Sequence, residues 1–396
     1  MKYIDGGVCS AKGFRAGGMN CGIKAGSTKK DLAMIVSDTM CSAAAVYTTN
    51  KVKGAPLAVT REHLINGTAQ AVICNSGNAN TCAPNGVEIA EKTCEITGSA
   101  LGLAAEDIIV CSTGVIGQEL SIKPFEYGVP ELAEKVSYDG GQEAAEAIMT
   151  TDTVDKQVAV QIEVGGKTVT VGGMCKGAGM IHPNMCTMLS FVTTDAAIAQ
   201  PLLLEALQAD VCDTYNMISV DGDTSTNDTC LLLANGMAEN PVISEKNEDY
   251  DRFCEALRTV NEYLAKQMAG DGEGATALFE VKVIGAETKE QAKIISKSVI
   301  TSNLTKAAIY GHDANWGRIL CAMGYSGAQF DPEKVDLFFE SAAGKMQIIK
   351  DGVALDYSEE EATKILSEPE VTAIADIKMG TAEATAWGCD LTYDYV

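Results

Sequence analysis

The stretch from Val158 to Val171 narrows the choice of fold more than any other. Val158 to Val164 (VAVQIEV) alternates apolar and polar residues, and Lys167 to Val171 (KTVTV) alternates again after Gly165-Gly166. Period-two alternation puts successive side chains on opposite faces of a strand. A Gly-Gly link suits the two-residue turns whose backbone matches strand twist. An antiparallel hairpin is predicted here, so the chain must build a sheet. Shorter strands are predicted at Ala71–Cys74, ending in the polar turn Asn75–Asn78, and at Ile108–Val110, ending at Ser112-Thr113-Gly114. Two more are predicted at Thr187–Val192, after the glycine-rich stretch Gly172–Gly179, and at Leu278–Ile284.

Helical periods are interspersed. Phe253, Leu257, Val260, Leu264 and Met268 recur at spacings of three and four, one apolar stripe on a helix from about Asp249 to Met268, with Gly270 as its stop. Pro201 opens a second helix, as proline is tolerated in a first turn. Thr288 to Gln291 reads as a capping box. Strands and helices mix without strict βαβ alternation, and neither a GxGxxG nor a P-loop occurs. The class is therefore α/β with layered sheets and helices. The GDGEGA segment at 270–275 suggests a boundary, giving a catalytic domain over 1–275 and a smaller α/β domain over 276–396.

Charge and cysteine usage exclude whole classes of function. The 396 residues carry 54 acidic and 30 basic side chains, a net charge of −24. A field of that sign repels nucleic acid and anionic membranes. The 14 cysteines form no CxxC pair and sit in apolar runs, as small buried hydrophobes do in a reducing compartment. Three isolated histidines do not suggest a metal site. With no apolar signal core and no apolar run of about 18 residues, the expected location is the cytoplasm.

One segment differs from ordinary core or loop: Lys176-Gly177-Ala178-Gly179-Met180-Ile181-His182-Pro183-Asn184-Met185-Cys186-Thr187-Met188-Leu189. A glycine-rich turn leads through Pro183-Asn184 to a threonine that opens an apolar run. A threonine hydroxyl is a weak nucleophile and needs a base. If the Cys186–Thr187 bond is cut, the new α-amine of Thr187 can be that base, because its reference pKa is roughly 7.7–8.0. Taken alone, a threonine at a strand start more often simply begins the strand.

The chain resembles the ornithine acetyltransferase (glutamate N-acetyltransferase) family. The resemblance rests on KGAGMIHPNMCTML at 176–189, GFRAGGMNCGIK at 13–24, NSGNAN at 75–80, STGVIG at 112–117 and MTTDT at 149–153. DGDTSTNDT at 221–229, HDANWGRI at 312–319 and WGCDLTYDYV at 387–396 extend it to the last residue. It implies a layered αββα fold like that of N-terminal-nucleophile enzymes. It implies self-cleavage between Cys186 and Thr187, with Cys186 where the family usually has alanine. It also implies transfer of acetyl from N2-acetylornithine to glutamate through an acetyl-Thr187 ester. Thr113 and Gly114 match the family's oxyanion hole. Thr153, Lys176, Thr187 and Glu273 match its substrate-binding residues, with Thr150 and Thr151 close enough to leave the threonine at 150–153 open. Neither a metal nor a bound cofactor is implied, acetyl-CoA is left open as a second donor, and two α and two β fragments would pair as a heterotetramer. The family's chains continue past a TYDYV-type segment to an asparagine and a threonine that contact substrate, and those contacts have no assigned counterpart here. The runs 75–80, 221–229 and 315–318 receive no role from the sequence.

Three other readings remain. A self-processing amidohydrolase or aminopeptidase would share the cleavage step but hand the acyl group to water. A metabolite-binding protein would stay uncut, and an α/β protein of unrelated function would leave the matched segments to chance.

Overall fold

The structure is a computed structural model that describes residues 1–182 and 188–395. By internal contacts the chain divides into two units. The first comprises 1–177, 183–215 and 224–264, and the second 178–182, 216–223 and 265–396.

In chain order the first unit holds β1 (Lys2–Ile4), β2 (Phe14–Met19), β3 (Leu32–Tyr47), α1 (Ala55–His63), β4 (Thr68–Asn78), α2 (Gly86–Leu101), β5 (Ile108–Val115), α3 (Lys123–Lys135) and α4 (Gly141–Ile148). It continues with β6 (Lys156–Val164), β7 (Lys167–Lys176), β8 (Leu189–Thr194), α5 (Gln200–Val211) and β9 (Thr229–Ala234). The helix α6 (Glu248–Gly270) carries the chain from the first unit into the second. The sheet order is β1-β6-β7-β8-β9-β3-β4-β5, with β2 on β3.

The long strand β3 gives this sheet its two layers. Its register with β4 shifts between Val36 and Cys41, after which Ser42–Tyr47 pairs with β9. The sheet thereby folds over itself. Alternation on β3 sends Ala33 and Ile35 into a core shared with Met174, Leu189, Phe191, Leu231 and Leu233 from β7, β8 and β9. Leu32, Met34 and Val36 face the other way, against Cys94 of α2 and Phe125, Val129 and Leu132 of α3. On the far side of β7 and β8, Cys175 donates to the Leu264 carbonyl of α6 (3.6 Å) and Ser190 hydrogen-bonds Tyr215 (2.9 Å). Helices, sheet, sheet and helices follow in that order, which is the αββα arrangement of the α/β class expected from the sequence.

Two sequence expectations need correction. The first part of the glycine-rich stretch, Gly172–Lys176, which the sequence left without an element, belongs to β7. The glycines there serve close packing: a Cβ on Gly172 would lie 2.1 Å from the Gly7 carbonyl oxygen. Asn75–Asn78 and Ser112–Gly114 are also strand, in parallel register with Ser76 opposite Thr113 and Gly77 opposite Gly114. Polar side chains can occupy these buried strand ends because they bond one another, Ser112 Oγ donating to Asn75 Oδ1 (2.6 Å).

The second unit holds β10 (Leu278–Ala286), α7 (Lys289–Ile300), α8 (Asn303–Tyr310), α9 (Trp316–Gly324), β11 (Asp336–Ser341), β12 (Gly344–Lys350), β13 (Val353–Ala354), α10 (Glu359–Leu366), β14 (Glu370–Asp376) and β15 (Ala382–Cys389). Its sheet order is β13-β12-β11-β14-β10-β15, with β10 parallel to β14. The capping box forms: Thr288 Oγ1 accepts from Gln291 N (3.1 Å), while Gln291 Oε1 accepts from Glu287 N (2.8 Å). Among the described residues no helix is long and apolar enough to cross a membrane.

Candidate active site

The expected nucleophile Thr187 and its neighbour Cys186 lie outside the described residues. The other candidate residues of the first unit can be built up from the strands.

Strand β7 ends at Lys176, whose side chain is buried with 6% of its surface exposed. Burying a cation requires compensation. Asp152, in the loop before β6, supplies part of it: its Oδ2 lies 4.0 Å from Lys176 Nζ, too far for a hydrogen bond. Oδ1 of the same carboxylate accepts from Lys156 Nζ (2.8 Å) and from Gly177 N (2.6 Å), and Oδ2 accepts from Thr150 N (3.0 Å). Burial works to raise the Asp152 pKa, but the charges of Lys176 and Lys156, with these hydrogen bonds, hold the carboxyl below its ordinary range. Thr153 is exposed beside it. Asp152 was not singled out from the sequence; its only signal was its place in MTTDT. It pins the backbone where β7 leaves for the 178–187 segment.

Thr113 and Gly114 end β5. Thr113 is half-buried and Gly114 exposed. Gly114 has φ +126, and a Cβ there would lie 2.5 Å from the Gly77 carbonyl carbon, so only glycine fits against β4. The strand ends are tied by Asn227, whose Nδ2 donates to the carbonyls of Ser112 (2.9 Å) and Ala79 (2.5 Å). Its Oδ1 accepts from Thr81 (2.6 Å) and Thr226 (2.7 Å). The next residue, Asp228, accepts at Oδ1 from the backbone N–H of Met188, the residue that follows Thr187 in sequence. Met188 has φ +110, a strained conformation for a methionine. The run 221–229, given no role from the sequence, therefore supplies two adjacent side chains, one on each strand end. Spacing alone carries no signal for this, because Asn227 and Ser112 meet only in the fold.

Glu273 belongs to the second unit, where its N–H donates to the Ala178 carbonyl (2.9 Å). Its carboxylate lies against Gly179, where a Cβ would come 2.5 Å from Oε2. In the same unit Asp221 receives the N–H groups of Met180 (2.6 Å) and Ile181 (3.0 Å) and the Tyr395 hydroxyl (2.9 Å). His182 lies with Nδ1 3.0 Å from Ser219 Oγ; burial, then the Lys297 charge, lowers its pKa to about 4. Among the described residues no group of three or more His, Cys, Asp or Glu could hold a metal ion.

Comparison with known proteins adds to this geometry. The ArgJ family profile matches residues 15–396. The arginine biosynthesis bifunctional protein ArgJ of Caldanaerobacter subterraneus subsp. tengcongensis is 49% identical over 397 residues, covering 100% of this chain and 98% of its own. That of Symbiobacterium thermophilum is 51% identical over 398 residues, with the same two shares. A crystal structure of arginine biosynthesis bifunctional protein argJ from Bacillus halodurans matches at 46% identity and a TM-score of 0.50, over 52% of this chain and 95% of that one. The chain belongs to the ArgJ family.

Proposed function

We propose that this chain cuts itself between Cys186 and Thr187 and then uses the Thr187 hydroxyl to move acetyl from N2-acetylornithine to glutamate. Family membership carries the coarser statement: the chain is an acyltransferase, and its relatives are named for arginine biosynthesis. The observation behind the finer reading is the Asn227–Asp228 pair. One side chain holds the strand end that bears Thr113 and Gly114, and the next holds the residue after Thr187. The Bacillus halodurans chain supports cleavage: 95% of it is covered by 52% of this chain, the share expected of one product of a cut near the middle.

In maturation, Thr187 Oγ attacks the Cys186 carbonyl, the peptide C–N bond breaks to free the Thr187 α-amine and leave an ester, and water then cleaves that ester to release the Cys186 carboxylate and restore the Thr187 hydroxyl. In the first half-reaction Thr187 Oγ attacks the acetyl carbonyl and the α-amine takes its proton. Thr113 and Gly114 stabilise the oxyanion, each such donor being worth about 2.7–4 kcal/mol. Ornithine leaves with the proton, and an acetyl-threonine ester remains. The glutamate amine then attacks the ester and departs as N-acetylglutamate, giving ping-pong kinetics. The family resemblance assigns Lys176 to the substrate α-carboxylate, Glu273 to its ammonium group and Thr153, or a neighbouring threonine of 150–153, to a further substrate contact. The reaction needs no metal or bound cofactor, and acetyl-CoA serves as a second donor if the pocket admits it. The enzyme works in the cytoplasm as a heterotetramer of two α and two β fragments.

The test is intact mass under denaturing conditions, for wild type and Thr187→Ala. Cleavage of the 41.6 kDa chain predicts fragments of roughly 19.5 and 22 kDa in wild type and one chain in the variant. Matured wild type should then exchange acetyl between acetylornithine and glutamate. A single wild-type chain, or acyl transfer to water instead of glutamate, would overturn the reading.

A further inference from the structure

The proposed reaction passes two side chains of opposite charge through one site. Ornithine ends in an ammonium, to which the resemblance assigns Glu273. Glutamate ends in a γ-carboxylate, for which no residue has been named. In a chain of net charge −24 a second carboxylate on the substrate needs a cation to meet it. Lys156 does not serve: it is fully buried, with its ammonium spent on Asp152 Oδ1 (2.8 Å) and the Val154 carbonyl (3.2 Å). Lys30 is paired with Glu146 (2.8 Å). Lys24 is half-buried and closes the run GFRAGGMNCGIK, to which the sequence gave no role. Its backbone lies on the end of β4: a Cβ on Gly77 would come 3.0 Å from Lys24 N, and Gly77 is in register with Gly114. Its Nζ donates to the carbonyls of Met149 (2.8 Å), just ahead of Thr150, and Lys30 (3.0 Å). An ammonium has a third donor. Among the described residues neither Lys24 nor Lys176 has a carboxylate oxygen at hydrogen-bond distance from Nζ; Asp31, the acid beside Lys24, accepts instead from the backbone N–H groups of Cys21 (2.7 Å) and Lys24 (2.9 Å). The Lys24 and Lys176 charges act on one another, and both act on the buried Cys74 thiol of β4. Burial lowers the Lys24 pKa most; the Asp31 charge opposes this, and the Lys29 and Lys176 charges add to it. Two cations that repel one another in this way make a seat for two carboxylates.

We propose that Lys24 is the specificity residue for the second substrate: its ammonium receives the γ-carboxylate of glutamate while Lys176 holds the α-carboxylate. The Met149 and Lys30 carbonyls occupy two of its N–H groups and fix the cation before glutamate enters, which lowers the cost of ordering it on binding. The third N–H makes the bond to the substrate. The same cation repels the ornithine ammonium, so the two side chains take different seats. The inference rests on the reading of this chain as a glutamate N-acetyltransferase.

In the experiment, mature wild type and Lys24→Met receive acetylornithine with equal concentrations of glutamate and glutamine, which differ only in the charge at the side-chain end. The ratio of N-acetylglutamate to N-acetylglutamine formed is the ratio of the two acceptors' kcat/KM values and does not depend on the donor step. Wild type should favour glutamate. In K24M that preference should fall roughly 10- to 100-fold, the loss expected when a hydrogen bond to a charged group is removed. Lys24→Arg, which keeps the charge, should keep most of the preference. A merely structural role for Lys24 would lower both products together and leave their ratio unchanged. An unchanged ratio in folded, cleaved K24M therefore overturns the proposal, as does a preference lost equally in K24R or a wild type that takes the two acceptors equally. If K24M does not fold, mature or turn over, wild type decides. Labelling of Lys24 by trinitrobenzenesulfonate, read by mass spectrometry of the first fragment, should be slower with N-acetylglutamate than with N-acetylglutamine at equal concentration; equal labelling overturns the proposal. A wild type that stays uncut or moves no acetyl is a failure of the proposed function, distinguishable from all of these.

Discussion

Lys156 and Asp152 are fully buried side chains, 2.8 Å apart. Removing one partner of such a pair strands the other charge, which costs about 3–5 kcal/mol. Asp152→Ala should therefore destabilise the first unit by that amount, read as a fall in the urea midpoint. The pH dependence has a definite sign. The folded Asp152 pKa lies below its unfolded value of about 3.9, so its contribution is complete above that pH and is lost as pH falls through the folded value. The stability gap between wild type and variant should be full at neutral pH and shrink in strong acid. A gap that does not change would mean that the carboxylate charge is not what holds the loop. Lys176 was visible in the sequence through its motif. Asp152 was not, because its partners Lys156, Gly177 and Lys176 acquire their meaning only when the start of β6 lies beside the end of β7.

At the scale of elements, local rules worked where local physics decides. The hairpin forms as expected, with Gly165 at φ +55 and Gly166 at φ +76, both left-handed as the tight turn demands. The amphipathic helix and the capping box form too. The rules failed at Asn75–Asn78 and Ser112–Gly114, and they gave no element to Gly172–Lys176. Glycine and polar residues signal turns in a sequence, but here they serve close backbone approach and buried hydrogen bonds within strands. Gly172→Ala tests this directly. Its Cβ would collide with the Gly7 carbonyl oxygen, and such overpacking typically costs 1–3 kcal/mol, roughly, or more against rigid backbone. Gly324→Ala is the control, because a Cβ there meets nothing within 4 Å. Equal melting temperatures for the two variants would refute the packing role.

For the whole molecule, the proposed assembly of two α and two β fragments predicts a native mass of roughly 83 kDa, twice that of the 41.6 kDa chain. Native mass spectrometry of mature protein should show that species, and its dissociation should release both fragments. A stable particle of about half that mass would exclude the tetramer. The sequence by itself determined the α/β class, the hairpin, the long helix and the family. The first three follow from periods along the chain, and the fourth from runs of residue types too specific to arise by chance. Only the tertiary structure decided that β3 shifts register and joins two sheet layers. Only it set Asn227 on the Thr113–Gly114 strand end and Asp228 on the residue after Thr187. A side chain's partner across a fold depends on strand order and register, and neither is written in the spacing of neighbours along the chain.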